Sequence, residues 1–302
     1  MKKLFISISI LLACVCSLWA EDQANPAYVT RSFDFKNFTE LSVSSMVEVK
    51  LSKSDTWKVS ITLPGDLDSY LDVRMDGNEL RIGMRNIPAV IQRKLRNMNV
   101  TATVSMPELR ELEVSGAASV TCNDTYDLGD KEFSLELSGA GKLKGMTVNA
   151  KKLDLEMGGA SSAELAGVFD TAEIEMGGAS KGKFDISAAK LIQEISGASK
   201  ANHSGSFTNI DLEATGACVF SFKGNADNLT MEVSGGSKVE VFDAAINDVK
   251  ARISGASYCE VNALKALQVD ASGASSLRYA DNESMKLNIR SISRGASVSK
   301  AK

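Results

Sequence analysis

Residues 191–200 read L-I-Q-E-I-S-G-A-S-K, and they contain a motif that returns down the chain: apolar, any residue, Glu, apolar, Ser or Gly, Gly, Ala, Ser. Its central glycine recurs at Gly116, Gly139, Gly159, Gly178, Gly197, Gly216, Gly235, Gly255, Gly273 and Gly295. Successive glycines stand 18 to 23 residues apart, with four consecutive intervals of 19 between Gly159 and Gly235. Self-similarity at this period means stacked units, none of which can bury its apolar face without a neighbour.

Counting back from the glycine, positions -6, -4 and -2 are nearly always apolar, as in Phe133/Leu135/Leu137, Leu153/Leu155/Met157 and Leu229/Met231/Val233. Positions -5 and -3 are polar. That is period 2, a strand with alternate side chains turned inward. After the glycine, +4 and +6 are apolar again (Ala163/Leu165, Phe220/Phe222, Val239/Val241, Cys259/Val261), so a second strand follows. Further glycines at 167, 205 and 224 are read as closing it. A unit of about 19 residues is too short for a propeller blade, and it lacks the leucine-rich pattern and any helical period. The solution is an all-β fold, a parallel β-helix of about ten 18–23-residue coils. The coil should be right-handed, because parallel crossovers are. Glycine then ends the first strand at a corner where a residue without Cβ can take φ > 0. Ser161, Ser180, Ser199, Ser237, Ser257 and Ser275 at +2 should stack in a column beneath it, with Cys218 in the same place.

The rest of the chain is organised around this array. Residues 1–20 read as an export signal: Lys2 and Lys3, an apolar run from Leu4 to Val15, then Leu18-Trp19-Ala20 before Glu21. Cleavage is expected after Ala20; the rival is a lipobox at Leu11-Leu12-Ala13-Cys14, which would place a lipid on Cys14. Residues 21–107 are strand-like but out of step with the period, and are expected to form an N-terminal β-rich cap or irregular first coils. Leu41-Ser42-Val43-Ser44-Ser45 looks like a degenerate repeat start, with Ser45 in the glycine place. The stretch 86–97 (N-I-P-A-V-I-Q-R-K-L-R-N) carries cationic weight and reads as an exposed loop or short helix. Residues 108–302 are the repeat domain.

Composition narrows the function. The formal charge of -4 gives no footprint for nucleic acid. One His, and three cysteines after the leader (Cys122, Cys218, Cys259) without metal spacing, point to no disulfide framework, metal site or cofactor. No later run is long enough to span a membrane as a helix. The paired glycines 158-159, 177-178 and 235-236 do not fit a nucleotide loop.

The repeated L-x-L-x-S-G-A-S on this period, behind an export leader and entered through Met106-Pro107-Glu108-Leu109, resembles the head GIN domain family of auto-transporter adhesin heads. The resemblance covers about residues 30–290. It implies a β-helix at the bacterial surface or envelope, an adhesive role, and no catalytic motif to transfer.

The most conspicuous polar feature is a column of acids at -3: Glu113, Glu136, Glu156, Glu175, Glu194, Glu213 and Glu232, followed by Arg252 and Asp270. Position -5 adds Glu111, Asp154, Glu173 and Asp211, with no Lys or Arg among them until Lys250 and Arg252. Acids two residues apart share a face at a spacing glycosidases use, so a β-helical polysaccharide lyase or hydrolase must be weighed. Against it, the pairs recur in four coils, and no tryptophan platform stands beside them. A solvated face or a ligand or cation stripe fits better. The lysines at +3 (Lys142, Lys181, Lys200, Lys238) read as solubilising edge charges, and His203 at +6 as a satisfied structural histidine. The sequence therefore predicts an exported, non-enzymatic adhesin-like module whose partner is a host or bacterial surface glycan or protein.

Overall fold

The computed structural model describes residues 27–88, 90–91, 99–293 and 295–301. The expected leader, with Cys14 and Ala20, and residues 92–97 of the cationic stretch lie outside them. Among the described residues, twenty strands join in one hydrogen-bonded system.

The chain begins out of spatial order. β1 (Tyr28–Phe33) is followed by β2 (Glu40–Val43) and β3 (Val47–Lys53), which form a coil of the repeat type. Ser45 turns the corner between them at φ 71°, a strained place for a residue with a Cβ. The next three strands, β4 (Lys58–Pro64), β5 (Leu71–Asp76) and β6 (Glu79–Met84), precede β7 (Val100–Met106). Only then do β8 (Glu111–Val114) and β9 (Ser119–Cys122) stack on β2 and β3, with Glu40 beside Glu111 and Val49 beside Val120. On the far side β6 and β7 add to β2 and β3 in parallel. There the direction reverses: β5 runs antiparallel on β6, β4 on β7, and β1 on β4. Reversal ends the parallel stack, and Phe38, Ile61, Leu63 and Leu67 are fully buried beneath it.

Beyond β9 the period governs. β10 (Thr125–Leu137), β11 (Lys142–Met157), β12 (Ser162–Met176), β13 (Lys181–Ile195), β14 (Lys200–Ala214), β15 (Val219–Val233), β16 (Lys238–Ile253) and β17 (Tyr258–Ala271) each make one coil. Like stacks on like: Leu191 lies between Ala172 and Ile210, and Glu194 between Glu175 and Glu213. β18 (Ser276–Tyr279) and β19 (Lys286–Ile292) make the next coil on β17, and β20 (Ser297–Lys300) begins a further one on β18.

The corner explains the motif. Gly197 has φ 71°, and a Cβ there would stand 2.5 Å from the carbonyl oxygen of Gly178 in the coil beneath. That oxygen accepts from the amide of Ala198 at 2.8 Å, so the coils cannot move apart to make room. Gly167, Gly205 and Gly224 correct the sequence reading: they lie inside β12, β14 and β15 rather than closing a strand. The chain bends there without leaving the ladder, and a Cβ at Gly167 would sit 1.8 Å from the carbonyl oxygen of Val148.

The inner columns are the core. The +2 serines are buried, and Ser180 Oγ donates to Ser199 Oγ at 3.2 Å, while Ser237 Oγ donates to the Gly216 carbonyl at 3.2 Å. Cys218 fills its place in that column, 3.1 Å from Ser237 Oγ. One polar pair interrupts the apolar rows. Gln193 Nε2 donates to the carbonyls of Ile174 and Glu194, both at 3.0 Å, and its Oε1 lies 2.9 Å from His203 Nε2. The ring is packed on Phe184 and Phe220 at 4.9 and 5.3 Å. Since Gln193 Oε1 must accept, His203 carries its proton on Nε2. Its Nδ1 is then a buried acceptor with no partner among the described residues. The expected satisfied histidine is only half satisfied, and burial pushes its pKa down to about 3.

Candidate functional site

The acid column is assembled residue on residue: Glu113, Glu136, Glu156, Glu175, Glu194, Glu213 and Glu232 are successive register partners, and Arg252 and Asp270 continue the line. Its ends are relieved. Ser42 Oγ donates to Glu113 at 2.8 Å, and Arg252 forms an ion pair with Glu232. Glu136 is held above the usual carboxylate range, first by partial burial and then by Glu113 and Glu156. A shallow groove of about 290 Å³ runs beside Glu156, Glu175, Glu194 and Glu213 along the glycine corner. These carboxylates stand in single file, and among the described residues no three His, Cys, Asp or Glu side chains converge as a metal site would require. Of the -5 acids, Glu173 and Asp211 have cations, from one step outside the span that the sequence reading considered: Lys152 reaches Glu173 at 2.7 Å, and Lys190 reaches Asp211 at 3.2 Å.

A different arrangement occupies the outer face of the second strand, near the C-terminal end. Ser221, Glu240, Glu260 and Arg278 are successive register partners at position +5. Lys238 Nζ meets Glu240 Oε1 at 2.6 Å, and Ser221 Oγ donates to Glu240 Oε2 at 3.2 Å. Tyr258 donates its hydroxyl hydrogen to Glu260 Oε1 at 2.5 Å, and Arg278 reaches the same Tyr258 oxygen at 3.3 Å. The Lys238 hydrogen bond holds Glu240 below the usual carboxylate range. Lys238, read from the sequence as an edge charge, is thus part of a network.

The wall of this site is a bulge. Val241 pairs with Val261 and Ile246 with Ala263, so residues 242–245 of β16 stand opposite Asn262 alone. Extra residues in one strand push the chain outward and re-aim its side chains. Phe242 is left 39% exposed, and Asp243 beside it pairs with Lys223 at 2.9 Å. The result is a cleft of about 480 Å³, lined by Phe242 together with Glu240, Glu260 and Arg278.

The architecture and both faces can be set beside known proteins. The family model described as "Putative auto-transporter adhesin, head GIN domain" matches residues 37–202 and 181–282, most of the chain. The chain belongs to this head GIN domain family. Among solved structures it is similar to a "putative adhesin" from Parabacteroides distasonis, with TM-score 0.54 and 17% identity over 92% of this chain and 98% of that one. A "putative adhesin" from Parabacteroides merdae aligns with TM-score 0.47 and 17% identity over the same shares. A "putative lipid binding protein" from Parabacteroides distasonis aligns with TM-score 0.45 and 18% identity, again over 92% and 98%. At 17% identity the likeness to the first of these shows the fold alone. No protein in the curated comparison matches. Among the described residues no helix is long and apolar enough to cross a membrane.

Sequence reasoning followed the repeated column and missed the cleft. A signal was present: the +5 column passes from Ser221 to Glu240 and Glu260 and then to the opposite charge of Arg278. What the alignment could not supply was Phe242, because an insertion falls outside the period.

Proposed function

We propose that this protein is an exported envelope or cell-surface module of the adhesin kind, which holds a glycan in the Phe242 cleft without cleaving it. The observation that carries this reading is the exposed Phe242 side chain lining one cleft with Glu240, Glu260 and Arg278, an arrangement that departs from the repeat. A sugar ring has an apolar C–H face that packs on an aromatic side chain, and hydroxyl edges that need donors and acceptors together. Carboxylates and cations that already neutralise one another offer both without attracting an ion. Membership of an adhesin family and the leader-like residues 1–20 support export and binding at the surface.

The same geometry speaks against catalysis. Glycoside cleavage needs one carboxyl group kept protonated as the acid. Glu240 is pushed the other way by Lys238, so it stays ionised at neutral pH and accepts hydrogen bonds. The purified chain is therefore expected to release no fragments from polygalacturonate or host glycans.

The test is a glycan array followed by titration of the best hit. Phe242→Ala should weaken binding at least ~10-fold, about 1.4 kcal/mol, with the melting temperature unchanged. Absence of any glycan binding, or full affinity in Phe242→Ala, would refute the assignment.

A further inference from the structure

The two ends of the solenoid are finished differently. At the N-terminal end the antiparallel strands β4 and β5 close the core. At the other end β19 repeats the inward pattern of β17, with Leu287 on Leu267, Ile289 on Val269 and Ile292 on Ala271. In β17 these positions are 0 to 2% exposed, whereas Leu287, Ile289 and Ile292 are 40, 42 and 45% exposed. Among the described residues no strand pairs with the outer edge of β19 or β20. Charge marks this end too. The described residues 286–293 and 295–301 hold Lys286, Arg290 and Lys300 and no acid, in a chain of net charge -4. Lys300 is paired with Asp281 at 2.6 Å, but Lys286 and Arg290 make no ion pair among the described residues.

We infer that this end is a strand-addition site, which takes an extended segment of another polypeptide with apolar residues at alternate positions and acids between them. Three occupants compete for an apolar end, and the chemistry separates them. A second copy meeting end to end would set one cationic edge against another, which like-charge repulsion opposes. A lipid surface would cover the apolar row but leave the edge amides and carbonyls without hydrogen-bond partners in hydrocarbon. An extended acidic segment answers all three features: its backbone continues the ladder, its apolar side chains cover Leu287, Ile289 and Ile292, and its acids meet Lys286 and Arg290. Leu287, Ile289 and Ile292 of β19 do not line the Phe242 cleft, so either site can exist without the other.

The array supplies its own probe. A fluorescent peptide with the sequence of residues 169–177, F-D-T-A-E-I-E-M-G, reproduces a strand that seats on such an edge. It should bind the full chain saturably by fluorescence anisotropy. A twin with Lys at its three acidic positions, and a copy with its ladder amides methylated, should each bind at least ~10-fold more weakly. Ile289→Glu and Arg290→Glu, both on exposed positions, should weaken the acidic peptide to a similar degree without lowering the melting temperature. No saturable binding up to millimolar peptide, or equal binding of the lysine twin, would overturn the proposal. So would a dimer by sedimentation that Ile289→Glu dissolves, or binding to phosphatidylglycerol vesicles that Ile289→Glu abolishes. The first of these gives the end to a second copy and the other to lipid.

Discussion

Two outer columns of this solenoid are made by the same geometry and have opposite character. At -3 the same side chain is set down seven times, from Glu113 to Glu232, each directly above the last. At +5, near the C-terminal end, a serine, two glutamates and an arginine share one column, and Ser221 donates to Glu240 as Arg278 does to Glu260. A repeat repeats its fold, so identity down a column reports what every coil needs or tolerates. A ligand site is needed once, and it shows where the period lapses. The first column stacks like charge that is relieved at its two ends, and the second carries opposite charges in a cleft that Phe242 also lines.

Both columns rely on the corner that holds the coils in register, so the largest effect should come from breaking it. Gly197→Val places a β-branched residue at φ 71° with a Cβ 2.5 Å from a carbonyl oxygen. It should cost more than about 3 kcal/mol, backbone strain and steric conflict together, whereas exposed Lys200→Ala should change almost nothing. Chemical denaturation measures both; equal midpoints for Gly197→Val and the wild type would remove the corner from the account.

An inner column also lapses, at His203, and there the lapse is destabilising. Its pKa falls from an ordinary 6.5 to about 3 on burial, so the unfolded chain takes up the proton that the folded chain refuses. Stability should therefore fall as the pH drops below 6.5, by about 1.4 kcal/mol per pH unit. His203→Phe, which matches Phe184 and Phe222 in the same column, should flatten that slope. Glu111 and Glu136, both raised by burial and by acidic neighbours, contribute in the other sense: their stability is present at low pH and lost as the pH rises through their folded values. With His203 replaced, mild acid should stabilise. A pH dependence unchanged by His203→Phe would contradict the assignment.

The smallest effect tests the acid column. Glutamates about 4.8 Å apart repel by roughly 0.9 kcal/mol per pair at the dielectric of water, and less once salt screens them. Glu175→Gln should raise the melting temperature slightly at low salt, with the gain fading as salt is added. A fall at every ionic strength would mean that these carboxylates make specific native bonds.

How far the sequence could be read follows the same division. The coil, its corner and the inward rows were legible because each is written repeatedly, as Gly197, Ser199 and Leu153 illustrate. Ser45 was legible as a degenerate corner, since the residues before it keep the pattern. That β6 and β7 stack on the outer side of the first coil was not legible, because chain order and spatial order part company there. Nor was the role of Gly167, whose close approach to Val148 depends on the coil below. The cleft was hidden for a related reason: Glu240, Glu260 and Arg278 are ordinary surface residues until register aligns them, and Phe242 owes its exposure to a bulge.

The most direct test of the account is a crossed one, with glycan affinity and melting temperature measured together on Phe242→Ala and Glu175→Gln. The account predicts that Phe242→Ala loses at least ~10-fold in affinity at constant melting temperature, while Glu175→Gln keeps full affinity and melts slightly higher at low salt. If Glu175→Gln loses the glycan and Phe242→Ala keeps it, the binding face is the acid column, and the division between repeated and singular positions fails.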